Sequence, residues 1–571
     1  MKNFEAALIL RNISILLEMD DVPFKPRAYE KAALSIEALE EDIEEIYAKN
    51  GIKGLKQIPG VGASIAEKIE ELIKTGNLQY YEELRNKVPV DFESLSGIEG
   101  LGPKKIKVLW DKLKIKNMDD LEKAALEHKI SALPHFKKKT EENMLKAIEF
   151  AKKSRGRYIL GFTLPLVRSI EERLRKVPYV KKVVAAGSVR RMKETVGDVD
   201  FLVLTEDSSK VMEFFVSMPE VIQVIEKGKT KSAVKLKTGM NADIRTLPEQ
   251  SFGAALQYFT GSRDHNIALR RIAQDKGWKL SEYGLFQKEE QIAGRTEEEV
   301  YEKLGLPWIS PELRENTGEI EAARKGELPD LVELKQIKGD LQIHSNWTDG
   351  QNSIKEMAEQ AKKNGLEYIV ISDHSKYLAM TGGLDEEGLS KQAEEIDQLN
   401  EQLDGITILK GVELNILKDG SLDISDDALR KLDVASAAVH SHFDMSKEEM
   451  TNRILKAIEN PNLDILLHPT AREIQKREPI QLDLEKIITM AKENGTILDI
   501  DSYPDRLDLR DEHIRKAVQV GAKLGISSDS HSTVHLHYLE LGIAQARRGW
   551  ATAKDIVNTR TLEQFKKTLK E

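Results

Sequence analysis

Cysteine is absent from the 571 residues, which removes disulfides, thiolate zinc sites and cysteine nucleophiles from consideration. Any metal chemistry must therefore rest on His, Asp and Glu. Also absent is any apolar run near the roughly 20 residues that a membrane-spanning helix requires. The opening stretch, MKNFEAALILRNISILLEMDD, is charged, helical in period and without a small-residue cleavage site, so no secretory leader is expected. No low-complexity tract and no long-period repeat interrupts the chain. Together these absences predict a cytoplasmic protein with no membrane association. What is present is 40% hydrophobic residues, enough to fill the cores of about three to four domains at ~100–200 residues each.

The net charge of −10 argues against a nucleic-acid binder only on average. Residues 101–240 hold 31 Lys and Arg against 18 Asp and Glu, a net of +13. Residues 1–100 hold 12 against 19, and residues 341–571 hold 29 against 40. A basic block of this kind suits a phosphate backbone, although a solvated lysine face gives the same count. Nine of the twelve histidines lie after residue 340, which is where metal chemistry is expected.

Apolar spacing predicts helices through residues 1–90 (Phe4, Ala7, Leu8, Ile13, Leu16, Leu17; then Ala32, Ala33, Ile36, Leu39) and Lys-rich helices through 91–155. From residue 156 short β-branched runs such as VDFLVLT and ADIRTLP alternate with helices. Residues 317–337 are charged and carry no core pattern, and are expected to be a linker. Beyond them, YIVISD, ITILKGVEL, VASAAVH, LDILLHP, TILDID and KLGISSD alternate with amphipathic segments. That alternation predicts a βα barrel with its chemistry at the strand ends.

Four motifs carry chemistry. IPGVGASIAEKI (58–69) and LSGIEGLGPKKI (95–106) repeat an apolar-x-Gly-x-Gly pattern ahead of a helix. Gly60, Gly62, Gly100 and Gly102 would let backbone N–H groups approach a phosphate, the helix-hairpin-helix device for non-specific DNA binding. Lys68, in AEKI, could form a Schiff base if its amine is held neutral, or could simply be an exposed helix lysine. GSVRR (187–191) precedes Asp198 and Asp200, two residues apart on one strand face, with Asp243 expected from a neighbouring strand. Three such carboxylates repel one another unless divalent cations sit among them, and two cations there would clamp a 3′-hydroxyl attack on an α-phosphate. Finally, Gln342, His344, Asp349, Asp373, His374, Glu413, His440, His442, His468, Asp529 and His531 almost all end apolar runs. Such residues converging on one barrel mouth would gather zinc, manganese or iron for phosphodiester hydrolysis.

The paired hairpins, GSVRR, GDVD, ADIR and YFTGSRDHN (258–266) resemble the family X DNA polymerases, such as DNA polymerase beta, over residues 1 to about 316. The resemblance implies Asp198, Asp200 and Asp243 as Mg²⁺ or Mn²⁺ ligands, with Arg245 acting on the third. It implies Gly187, Ser188, Arg191 and Gly197 on an incoming triphosphate. Tyr258, Phe259 and Gly261 would lie by the sugar, and Asn266 and Arg270 at the nascent pair. Lys68 falls at the lyase nucleophile, and Lys25 and Tyr29 at the 5′ end of a gap. Residues 338–571 resemble the PHP (polymerase and histidinol phosphatase) domain. That implies a distorted (βα)7 barrel with up to three Mn²⁺ or Zn²⁺ ions on His344, Asp349, His374, Glu413, His440, His468, Asp529 and His531. Gln342 stands where the family carries a histidine; its carboxamide oxygen can still ligate.

The expected architecture is multidomain α/β. A helix-hairpin-helix domain (1–90) and a second helix-hairpin-helix subdomain (91–155) precede a nucleotidyltransferase palm with a mixed sheet (156–251). A nascent-base-pair subdomain (252–316), the linker (317–337) and the PHP barrel (338–571) follow. The expected partners are gapped or primer-template DNA and deoxynucleoside triphosphates, and the expected state is a nucleoid-associated monomer. The resemblance implies gap filling joined to 3′→5′ exonuclease and 3′-end processing, with apurinic endonuclease within the same chemistry. A barrel kept only as a scaffold, with Gln342 marking a decayed centre, is the alternative.

Overall fold

The computed structural model describes residues 3–570 apart from 38, 40, 41, 93, 94, 96, 97, 99, 100, 134, 135, 154, 155, 379 and 380. The chain forms two compact units, residues 1–155 with 475–478, and residues 156–474 with 479–571.

In the first unit the described elements within residues 1–155 are helices, among them Asn3–Met19, Lys25–Glu37, Ala63–Thr75 and Pro103–Leu113. The spacing read from the sequence places Ala7, Ile13, Leu16, Leu17, Ala32, Ala33 and Ile36 in one core, joined by Ile65, Ile69, Ile106 and Leu109 from the glycine-led helices. Leu8, part of the same pattern, is 36% exposed. Gly60 needs its left-handed φ of +78°, and a β-carbon there would meet Lys31 Cγ at 2.9 Å.

Among the described residues the second unit holds four sheets. The short strands β1 (Tyr158–Ile159) and β3 (Thr195–Val196) pair with each other. A five-stranded sheet runs in the order β2 (Val180–Ala185), β4 (Asp198–Thr205), β7 (Asn241–Leu247), β6 (Lys231–Leu236), β5 (Val221–Lys227). The β4–β7 pair is parallel and its neighbours antiparallel, so the sheet is mixed, as expected. Strands β8 (Trp278–Ser281), β9 (Gly284–Gln287) and β10 (Glu290–Ala293) make a small antiparallel sheet.

Seven parallel strands then follow in chain order: β11 (Gly339–Ile343), β12 (Tyr368–Ile371), β13 (Thr407–Asn415), β14 (Val434–Ala438), β15 (Ile465–Leu466), β16 (Ile497–Asp501) and β17 (Leu524–Ser527). A parallel bridge from Ile343 to Ser530 brings the last strand back to the first, giving the nearly closed (βα)7 barrel expected. The runs are apolar throughout because parallel strands are covered on both faces. Ile369 and Ile371 pack under the outer helices. Tyr368 and Val370 turn the other way, toward Phe565.

Residues 317–337 do not behave as a solvated linker. They fold into the helix Glu319–Lys325, bury Ile320, Ala323 and Leu331 with the core around Leu269, Val300 and Leu304 and bury Val332 and Ile337 with the barrel core. Glu319 is fully buried because His265 Nδ1 (2.6 Å) and the amides of Asn316 (2.9 Å) and Thr317 (2.7 Å) surround it. Charge in a sequence reads as exposure, but a carboxylate with this many partners is stable inside.

A second buried carboxylate ties the GSVRR turn to the segment before the linker. Glu297 is gripped by Arg190 at 2.6 and 2.8 Å and by Arg314 at 2.6 Å, with Trp308 Nε1 at 3.2 Å. Burial opposes its charge, but the two guanidiniums prevail and lower its pKa to about 2. Its contribution is therefore complete above the ordinary carboxylate range and is lost as pH falls toward 2. Glu297→Ala leaves the fully buried Arg314 unpaired and is expected to destabilise the second unit by about 3–5 kcal/mol at pH 7, read as a lowered urea midpoint.

Candidate active sites

The first site lies on the five-stranded sheet. Side chains alternate along a strand, so Asp198 and Asp200 share a face of β4, and the parallel register sets Asp200 opposite Asp243 on β7. Burial, then the charges of Asp198 and Asp243, push Asp200 up to about 6. Burial also raises Asp243, against the pull of Lys231, whose Nζ is 4.0 Å away, and of Arg245. Arg245 itself lies over the Phe259 ring at 4.7 Å. As befits three like charges, the triad's oxygens are not gathered as closely as those of the barrel.

Around this face, Gly187 takes φ +64° and a β-carbon there would lie 3.4 Å from Asp200 Oδ2. Ser188 belongs to the short helix Gly187–Arg190, and Gly197 directly precedes β4, where a β-carbon would touch the Gly156 carbonyl at 3.8 Å and Arg157 Nη1 at 3.9 Å. Arg191 donates from Nε to Glu315 (3.0 Å) and from Nη1 to the carbonyl of Thr260. Tyr258 and Phe259 end the helix Phe252–Thr260 edge to face, 5.2 Å apart, and Gly261 follows with Arg191 Nη1 3.1 Å from where its β-carbon would be. Asn266 is buried and committed to its neighbours, donating to the Tyr258 carbonyl (2.7 Å) and accepting from Gln257 Nε2 (2.6 Å). Arg270 shares its helix, Arg263–Asp275, and is half-buried.

In the first unit, Tyr29 is buried, stacks on Tyr80 at 6.3 Å and has its hydroxyl pushed up to about 12 by burial and Tyr80. Lys68 reaches over that same Tyr80 ring at 4.7 Å and donates to Ser64 Oγ at 3.0 Å. Lys25, exposed, begins the helix that carries Tyr29. Gly62 and Gly102 sit extended at the starts of Ala63–Thr75 and Pro103–Leu113, and nothing lies within 4 Å of either missing β-carbon. Gly100 lies outside the described residues.

The second site is the mouth of the barrel, where each strand delivers its acidic or imidazole group at its C-terminal end. Three overlapping groups form there: His344, Asp349, His374 and His531; His374, Glu413 and His440; and His344, Glu413 and Asp529. Glu413, 1% exposed, is the hub. It lies 2.8 Å from His440 Nε2, 3.0 Å from His468 Nε2, 3.2 Å from His344 Nε2 and 3.6 Å from His374 Nδ1. Asp529 is 3.1 Å from His344 Nε2, and Asp349 is 3.4 Å from His374 Nε2 and 3.6 Å from His531 Nε2.

These residues fit divalent cations. Both ring nitrogens of His344 and Nδ1 of His374 are buried without hydrogen-bond partners, as ligand atoms are. His440 donates from Nδ1 to Asn415 Oδ1 (2.8 Å), and His531 from Nδ1 to the Asp529 carbonyl (2.8 Å), leaving each Nε2 toward the mouth. Burial holds His440 down at about 4, so its imidazole is neutral at pH 7. Burial opposes charge on His344 as well, yet Asp529 and Glu413 raise it well above the usual range.

Gln342 also reaches the hub. Its Nε2 donates to Glu413 (2.9 Å) and its oxygen accepts from Ser527 Oγ (3.4 Å), which ties it to the same carboxylate as the histidines. Asp373 likewise accepts from Ser345, Thr348 and Gln392 and supports the loop. Sequence reading missed Asp501 and Arg506: Arg506 Nε is 3.5 Å from Asp501 and 3.4 Å from Asp529. The signal was available, since LDID repeats at β16 the alternating acids of GDVD at β4.

Comparison with known proteins agrees with this geometry. Residues 1–78 match the helix-hairpin-helix domain family, 92–149 the SAM-like helix-hairpin-helix tandem, 255–315 the DNA polymerase beta thumb and 340–503 the PHP domain. Fold and sites thus define a polymerase-type core carrying a phosphoesterase-type barrel. The chain is 38% identical to DNA polymerase/3′-5′ exonuclease PolX of Bacillus subtilis (strain 168), covering 98% of each. It is 32% identical to a "Probable phosphatase" of Thermoanaerobacter sp. (strain X514), over 38% of this chain and 89% of that one. It is 26% identical to DNA polymerase lambda of Rattus norvegicus, over 45% and 48%. The chain belongs to the family X DNA polymerases, in the group that carries a C-terminal PHP domain.

Proposed function

We propose that the protein fills short DNA gaps by template-directed nucleotidyl transfer on the sheet site and shortens or cleans 3′ ends at the barrel mouth. The observation that carries the reading is the pair of separate, differently built carboxylate centres, one purely acidic and one of imidazole and carboxylate. Asp198, Asp200 and Asp243 would hold Mg²⁺ or Mn²⁺, and His344, Asp349, His374, Glu413, His440, His468, Asp529 and His531 would hold Mn²⁺ or Zn²⁺. When bound, such cations neutralise charge on phosphate oxygens and activate the attacking oxygen.

The chain's own residues do the rest. In extension the primer 3′-oxygen bonds to the α-phosphorus and the bond to pyrophosphate breaks. Arg191, backed by Ser188 and the glycines Gly187 and Gly197, would take the triphosphate's charge. Tyr258, Phe259 and Gly261 would wall the sugar, with Asn266 and Arg270 beside the new pair. At the barrel, Glu413 would fix the imidazoles in one geometry while Asn415 sets the tautomer of His440. Gly60, Gly62, Gly100, Gly102, Lys25 and Tyr29 are the proposed DNA contacts. Lys68, over Tyr80, is the proposed lyase amine. A monomer acting in the cytoplasm on the nucleoid is the setting this supports, with apurinic endonuclease a further capacity of the barrel. A decayed, purely structural barrel is disfavoured by the three compact ligand groups.

The test is a one-nucleotide-gapped, 5′-phosphorylated primer-template with Mn²⁺, assayed with and without deoxynucleotides. Growth of the primer in the first case and shortening in the second is the expected result. Shortening that persists in a chelator, or growth that ignores the template base, would overturn the reading.

A further inference from the structure

The arginine assigned to the triphosphate is not held by the polymerase core alone. Arg548, at the end of the helix Leu539–Arg548 in the barrel half, reaches back to it. Its side chain is 3% exposed. Its Nη1 donates to the backbone carbonyl of Arg191 (2.9 Å) and to Glu315 Oε1 (3.2 Å), and its Nη2 donates to Asp511. Arg191 Nε donates to the same Glu315 Oε1 at 3.0 Å. Lys193 Nζ stands 3.9 Å from that oxygen.

Two consequences follow from sharing one oxygen. Glu315 cannot neutralise Arg191 one-to-one, because Arg548 competes for it. Arg191, Lys193 and Arg548 all approach Glu315 Oε1, so that oxygen is shared among three cationic side chains beside the sheet site. The backbone bond does a second thing: it pins the carbonyl that closes the GSVRR turn, so the turn cannot relax when the guanidinium moves onto an anion.

We infer that Arg548 of the barrel half is a positioning residue for nucleotide binding, holding the Arg191 backbone and sharing Glu315 so that the Arg191 guanidinium is only partly neutralised by it and stays aimed at the triphosphate. The inference rests on the proposed role of Arg191. It predicts a one-way dependence, in which nucleotide capture needs the barrel half while barrel chemistry does not need Arg548.

The experiment is single-nucleotide incorporation on gapped DNA by the full chain, with 3′ shortening measured separately without nucleotides. Arg548→Ala should raise KM for the nucleotide about tenfold, with kcat within about threefold and shortening unchanged; the loss corresponds to roughly one charge-assisted hydrogen bond. Arg548→Lys should fall between, because one ammonium cannot make all three bonds. Unchanged KM in Arg548→Ala, alongside a raised KM in Arg191→Ala, overturns the inference alone. Unchanged KM in Arg191→Ala overturns the assignment of Arg191, and the inference with it. If Arg548→Ala loses both activities together, Arg548→Lys decides: a raised KM at normal shortening upholds the inference, and a normal KM overturns it.

Discussion

Glu413→Ala is expected to lower 3′ shortening by about 10³-fold or more while leaving primer extension within about twofold. Glu413 stands within 3.6 Å of nitrogens from four histidines that arrive on four different strand ends. Burial disfavours its charge, yet the surrounding imidazoles, His374 foremost, lower its pKa well below the ordinary range, so it is an anion at any working pH. Removing it leaves buried nitrogens with no common anion and two of the three ligand groups broken. The check is a pair of assays on one preparation, with bound metal measured by mass spectrometry. Retained shortening, or equal loss of both activities, would contradict independent centres.

The second large effect is on the sheet. Asp200→Asn should abolish extension, by about 10³-fold or more, and should make the chelated protein more stable above pH 6. The charged form of Asp200 is the one that folding disfavours. Its pKa is raised from 3.8 to about 6 by burial and by Asp198 and Asp243. Stability from this group is therefore complete below pH 4 and lost as pH rises through about 6, by roughly 2–3 kcal/mol. The asparagine variant lacks that fall. Melting curves in a chelator at pH 5 and pH 7.5 should differ at both, and by roughly twice as much at the higher pH, because about half of the loss has already accrued at pH 5. Identical curves at both would mean the carboxylate is better solvated than its setting indicates. A site that is unstable empty is one way to secure affinity for cations.

Much of both sites could be read from the chain because strand chemistry is local. The period of two in Asp198 and Asp200, and the habit of barrel strands to end in functional side chains, need no knowledge of distant contacts. What escaped is non-local. Glu319 looked like linker charge until His265, 54 positions earlier, came to meet it. Gln342 has a ligand's place in the motif, but its bonds to Ser527 and Glu413 could not be read from the chain. Arg506 needed two aspartates from separate strands to acquire a purpose.

The hydrophobic core under the five-stranded sheet includes Ile474, Leu507 and Leu541 alongside Val167, Phe201 and Val234. Those three come from the barrel half. Polymerase and phosphoesterase portions are therefore grafted at the seam, not strung together like beads. Exchanging one portion for a foreign counterpart would expose that shared core and require the join to be rebuilt, so writing and erasing are coupled through one buried seam.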